Sequence, residues 1–309
     1  MQLNRRLLPA SLLALSLGAS AITSACTGEP VTLMHVHGLS YSADGKRLMI
    51  PSHHGLAVYE NGRWSKADGP AHDYMGFSAT RDALYSSGHP APGTGLTNPF
   101  GLIKSGDGGK TWKKLGLEGQ SDLHLLATSY AANAVYVVNH SPNSRMSQPG
   151  IYRTNNDGLQ WTRAAAKGLG GDLKSLAVHP SDAGIVAAST ADGLYLSRDS
   201  GETFERLAGD QPVVAASFDP DGQHLWFSAY AGKPSFMRLA LSAGAKPQAL
   251  PIPALPTPAL AEDAVAYIAQ NPVRHGEIAI ATFQRSVFLS KDQGRTWTSI
   301  AQNGETQGR

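Results

Sequence analysis

Ser105-Gly106-Asp107-Gly108-Gly109-Lys110-Thr111-Trp112 carries the spaced pattern Ser-x-Asp-x-Gly-x-Thr-Trp, and that pattern returns along the chain. It recurs intact at Ser290, Asp292, Gly294, Thr296 and Trp297. A third copy, Ser197, Asp199, Gly201 and Thr203, ends in Phe204, and a fourth, Thr154, Asn156, Gly158 and Gln160, ends in Trp161. The residue types specify a hairpin turn: Asp or Asn accepts hydrogen bonds from backbone N–H groups, Gly supplies a positive φ, and the closing aromatic packs inward. The closing aromatics fall at 112, 161, 204 and 297, in steps of 49, 43 and 93 residues, so one degenerate unit lies between the last two. Residues 213–250 supply it. Upstream, Tyr59-Glu60-Asn61-Gly62-Arg63-Trp64 is an Asn-Gly hairpin ending in Trp, 48 residues before Trp112. Six units of about four short strands each predict an all-β fold, a six-bladed β-propeller with four-stranded antiparallel blades over residues 32–302 and a tail at 303–309.

This turn resembles the Asp-box, or BNR repeat, of sialidase-like propellers, with Asp107, Asn156, Asp199 and Asp292 at the structural position. The chain is similar to an exported bacterial sialidase-like group often labelled glycosyl hydrolase. Sialidases proper clamp a carboxylate with three Arg and carry an Arg-Ile-Pro motif near the first blade. No Arg-Ile-Pro occurs here, and the strand frame leaves only Arg145 and Arg285 on the channel-mouth face, so sialic acid hydrolysis is not expected.

Composition narrows the function classes. The 309 residues hold 26 Lys+Arg against 24 Asp+Glu, which gives no basic surface for nucleic acid. A single Cys excludes an internal disulfide framework and any structural zinc site that needs two or more thiolates. Residues 1–25 read as a lipoprotein-type signal peptide: Arg5 and Arg6, an apolar run from Leu7 to Leu17, then Thr23-Ser24-Ala25-Cys26, a lipobox in which Cys26 is lipidated. Ala19-Ser20-Ala21 is a competing cleavage site. A linker at 26–31 follows. The expectation is an outer-membrane lipoprotein on the periplasmic side, touching the membrane through its lipid anchor only.

The 11 His are uneven on this frame. Inner strands are expected at 33–40, 73–79, 122–129, 173–179, 213–218 and 263–270. His35, His37, His72 and His124 then start inner strands, while His53, His54, His89 and His140 sit in loops at the same end, opposite the repeated turns. His179, His224 and His275 map to the turn side. On a strand, positions i and i+2 face one way, so His35 and His37 can address one metal ion with partners among His72, His89, His124 and His140. Met75 is a soft candidate ligand; imidazole plus thioether without thiolate favours copper over zinc. The function expected is metal handling or resistance, with the ion or a small ligand at the channel mouth.

Two alternatives stand beside it. Asp73, Asp122, Glu262 and Asp263 start inner strands at the mouth and could flank a glycosidic bond as catalytic carboxylates. A non-catalytic platform for an envelope protein partner is the other. No Gly-x-Ser-x-Gly elbow supports a serine hydrolase.

Overall fold

The computed structural model describes residues 31–253 and 263–307. The signal peptide, Cys26 and Glu262 lie outside them. Among the described residues every element is a strand, and the strands form six antiparallel sheets.

The first blade holds β1 (Ser40–Tyr41), β2 (Leu48–Ser52), β3 (Gly55–Glu60) and β4 (Arg63–Lys66). The second holds β5 (Asp73–Ala79), β6 (Leu84–His89), β7 (Leu102–Ser105) and β8 (Lys113–Gly116). Blades three to five repeat this plan with β9 (Leu126–Thr128) to β12 (Thr162–Arg163), β13 (Leu173–Val178) to β16 (Glu205–Ala208), and β17 (Val213–Phe218) to β20 (Gln248–Leu250). The sixth runs from β21 (Val265–Gln270) through β22 (Ile278–Thr282) and β23 (Val287–Ser290) to β24 (Thr298–Gln302), then adds β25 (Glu305–Thr306).

The innermost strands touch in sequence order, and β21 touches β1, which closes the ring of the expected propeller. The first and last described segments meet at the last blade: Leu33 N–H donates to Gly304 O at 2.7 Å, Thr306 Oγ1 donates to Val31 O at 2.6 Å, and Thr32 bridges Glu305. Ordered pairing therefore runs beyond residue 302 into the expected tail, and the N-terminal segment covers what would be an open sheet edge.

Six apolar clusters fill the six seams between neighbouring blades. Central strands such as β2, β14 and β22 are buried along their whole length because both faces meet another blade. The repeated turns seal these seams. Ser105 Oγ donates to Asp107 Oδ1 at 2.8 Å and accepts from Gly109 N–H at 2.8 Å, while Asp107 accepts from the Thr111 N–H at 2.9 Å and its hydroxyl at 2.6 Å. The turns at Asp199 and Asp292 repeat these bonds, and Asn156 reproduces the backbone one to Gln160 N–H at 3.0 Å. Trp112, Trp161, Phe204 and Trp297 each join an interblade cluster.

The first inner strand differs from expectation. Strand pairing of β1 covers only Ser40–Tyr41, so His35 and His37 lie on a lead-in tied to β2 by a bond from His37 N–H to Pro51 O at 3.2 Å. That lead-in is committed elsewhere: Leu33 and Thr32 pair with the end of the sixth blade rather than with β2.

Candidate functional site

Strand direction decides what meets at the mouth. β5 starts at Asp73, β6 ends at His89 directly opposite it, and β7 starts at the same end, so the repeated turn after β7 points the other way. Gly88 permits this closeness. It has φ of 116°, and a Cβ there would lie 2.0 Å from Asp73 O. On the neighbouring connection, Leu123 is buried and its N–H donates to Ser87 Oγ at 3.0 Å; Asp122 and His124 flank it and project together.

Two groups result. In the first, ligand-capable atoms of His35, His37 and His53 lie within 4.8 Å of one another. The His35 and His53 rings meet edge to face at 4.3 Å, and those of His37 and His53 at 5.4 Å. Asp73 backs this trio: its Oδ2 is 2.9 Å from His53 Nδ1 and its Oδ1 is 3.7 Å from His37 Nε2. His37 Nε2 and Asp73 Oδ1 are both buried without a hydrogen-bond partner. Burial pushes the His37 imidazole below its ordinary value, with Asp73 pulling the other way.

In the second group, His89, Asp122 and His124 gather on one carboxylate oxygen. Asp122 Oδ2 is 3.0 Å from His89 Nε2 and 2.5 Å from His124 Nε2, while Asp122 Oδ1 is buried and unpartnered. Burial opposes the charge on Asp122, but the bond from His124 and the neighbouring His89 imidazole outweigh it and hold the carboxyl below its ordinary value. The bond to Asp122 raises His124 in turn, against desolvation.

His37 and His124 also line the entrance to a channel cavity of about 510 Å³ walled by inner-strand residues such as Ala127, Leu176, Ala215 and Ala269.

Other sequence candidates are placed apart from these groups. His72 is buried against Phe100 at 4.9 Å, and its Nδ1 accepts from Ala91 N–H at 3.0 Å; burial lowers its basicity. His140 is exposed on the loop after β10 (Val135–Asn139). Met75 is buried on β5, two residues beyond Asp73. Asp263 is buried and accepts from Gln284 N–H at 3.1 Å. Arg145 donates to Leu115 O and Gly158 O, and Arg285 donates to Met34 O, so both guanidiniums serve the scaffold. His53 enters the first trio from the β2–β3 turn; the sequence places it at the right end of the blade but carries no signal for its ring direction.

A third group, Asp219, Asp221 and His224, lies at the turn end of the fifth blade. Both oxygens of its Asp219 are taken, by Trp226 Nε1 at 2.6 Å and Arg238 Nη2 at 2.8 Å, so the carboxylate serves an ion pair in the degenerate unit, while His224 Nδ1, 3.2 Å from Asp219 Oδ2, and Arg238 Nε are buried without hydrogen bonds.

No protein-family model matches the chain, and no characterised protein matches it in sequence. Solved structures match its shape. A GH74 enzyme of Niastella koreensis aligns with a TM-score of 0.59 and 17% identity over 87% of this chain and 46% of its own. Hydrazine synthase of Kuenenia stuttgartiensis gives 0.55 and 12% over 87% and 79%. An ancestral GH74 enzyme gives 0.53 and 13% over 88% and 39%. The chain thus spans less than half the length of these GH74 enzymes, and the likeness is one of fold.

Proposed function

We propose that this protein binds a divalent transition-metal ion, copper first, at the channel mouth through His35, His37 and His53, and does so as an exported lipoprotein in metal handling or resistance. One observation carries the reading: His37 Nε2 and Asp73 Oδ1 face each other at 3.7 Å, buried and without hydrogen bonds, with two further imidazoles alongside. A buried polar atom left unpaired costs roughly 1–3 kcal/mol. A cation held at about 2 Å by imidazole nitrogens removes that cost for His37 Nε2 and sets a positive charge beside Asp73. Asp73 supports the reading in a second way, since a carboxylate on one ring nitrogen orients His53 and leaves its Nε2 to the ion. Imidazole donors without thiolate bind Cu(II) ahead of Zn(II) in the general affinity order. The signal-like residues 1–25 support an envelope location, where copper is handled outside the cytoplasm.

The test is metal analysis of protein prepared without a His tag. Stoichiometric copper that is lost on joint His35→Ala and His37→Ala substitution supports the proposal. Copper retained by that variant, or never taken up, overturns it.

A second reading keeps the carbohydrate chemistry suggested by the GH74 neighbours, because Asp73 and Asp122 each retain a buried, unpartnered oxygen at the mouth. Two carboxylates could then flank a glycosidic bond. Both, however, face imidazoles, which favours the metal reading. Turnover of aryl glycosides abolished by Asp73→Asn would reverse the order.

A further inference from the structure

The second trio poses a charge problem that a proton count makes plain. Asn98 Oδ1 lies 2.6 Å from His89 Nδ1, so that nitrogen carries the hydrogen and donates it. In neutral His89 the remaining nitrogen, Nε2, then presents a lone pair, and it does so 3.0 Å from Asp122 Oδ2. The same oxygen already takes His124 Nε2 at 2.5 Å. One carboxylate oxygen thus faces two imidazole nitrogens, and its sister, Asp122 Oδ1, is buried with no partner. Two lone pairs cannot sit face to face at that distance without positive charge between or beside them. A second proton on His89 supplies it only by making a cation; a metal ion supplies it directly and uses all three donors.

We propose that His89, Asp122 and His124 form a second divalent-cation site, beside the His35–His37–His53 site, so that the channel mouth holds a pair of ions. This rests on the metal-binding reading of the first trio and extends it. The two groups adjoin: His37 and His124 line the same channel entrance, and Asp73, behind the first group, is the strand partner of His89 in the second. Their donor sets differ. Three imidazoles suit a copper-like ion, whereas two imidazoles and a carboxylate also suit zinc. Ligands around a tetrahedral ion stand roughly 3.3 Å apart at these bond lengths, so His124 retreats from Asp122 by under about 1 Å when the ion replaces the shared proton. Asn98 fixes the His89 ring in the orientation the ion needs.

Equilibrium dialysis and calorimetry of the tag-free, metal-stripped full chain with Zn(II) and with Cu(II) test this. Two ions per wild-type chain are expected, one per chain for His89→Ala plus His124→Ala, and one for His35→Ala plus His37→Ala. Asp122→Asn, which keeps the shape, is expected to weaken one of the two binding events by 10-fold or more while leaving the other in place. Circular dichroism and a denaturation midpoint verify that each variant is folded. A single ion lost only with His35 and His37 overturns the second site and leaves the first. A single ion lost with either pair means one shared site, and also overturns the proposal. No ion in the wild type overturns both readings.

Discussion

The repeated turns and the mouth of this propeller treat their polar atoms in opposite ways. At the turn end, the Ser105–Asp107–Thr111 bonds are closed on themselves, and the same closed circuit is built again around Asp199 and Asp292. At the mouth, His37 Nε2, Asp73 Oδ1 and Asp122 Oδ1 are buried and left over. The turn end repeats in sequence because each blade has the same seam to seal. The mouth does not repeat: the histidines and carboxylates of its two groups come from the first three blades, while the inner strands of blades four to six supply Leu176, Ala215 and Ala269 to the channel wall. The repeated turns close their own circuits, whereas the mouth keeps polar atoms in reserve; single buried atoms such as Trp161 Nε1 and Arg238 Nε are left over elsewhere, without a cluster of imidazoles beside them.

The contrast can be broken from the scaffold side. Trp226 is fully buried between the fifth and sixth blades, against Phe236 and Ile280, with its indole N–H on Asp219. Trp226→Ala is expected to cost about 3–5 kcal/mol, read from the shift in denaturant midpoint. Metal stoichiometry of the folded variant should not change, since nothing at the mouth is touched. Loss of metal at full folding would show that the two ends are not independent.

Smaller effects come from the turns themselves. Ser197 is buried and accepts from Gly201 N–H at 2.8 Å while donating to Asp199. Ser197→Ala strands that buried N–H and is expected to cost about 1–3 kcal/mol by the same measurement. The intact aspartates also set the acid limb. Hydrogen bonds from Thr111, Thr203 and Thr296 lower Asp107, Asp199 and Asp292 to about 2 from an ordinary 3.8. Between those values the unfolded chain binds more protons than the folded one, so this stabilisation is present above 3.8 and is lost as pH falls toward 2. Asn156 shows that the turn forms without a titrating group. Converting the three aspartates to Asn should therefore flatten the denaturant midpoint between pH 4 and pH 2; an unchanged slope would place the acid sensitivity elsewhere.

These ends also differ in how much of them could be read in advance. Blade number, antiparallel pairing and the seam aromatics follow from the spacing of Trp112, Trp161, Phe204 and Trp297, because a repeated local turn leaves a repeated local pattern. Two inner strands run where the alternation puts them, 73–79 and 213–218. The site is legible only to the level of which end a residue occupies. Strand alternation put His35 and His37 side by side on a strand, whereas their rings meet, 5.8 Å apart, from a segment tied to the last blade. His72 stands next to Asp73 in sequence yet turns away to Phe100 and Ala91, since β5 begins one residue later and the loop after β6 offers it an N–H. His53 turns inward because Asp73, two loops on in the fold, receives its ring. Such choices depend on contacts between loops of different blades, which no local pattern encodes.

The central claim is that the leftover donors at the mouth hold an ion. Crystals of the full chain grown with Cu(II), measured at the copper absorption edge, test it most directly. The account predicts an anomalous peak about 2 Å from imidazole nitrogens of His35, His37 and His53. A peak confined to surface carboxylates or to Asp219, Asp221 and His224, with the mouth histidines empty, would contradict it.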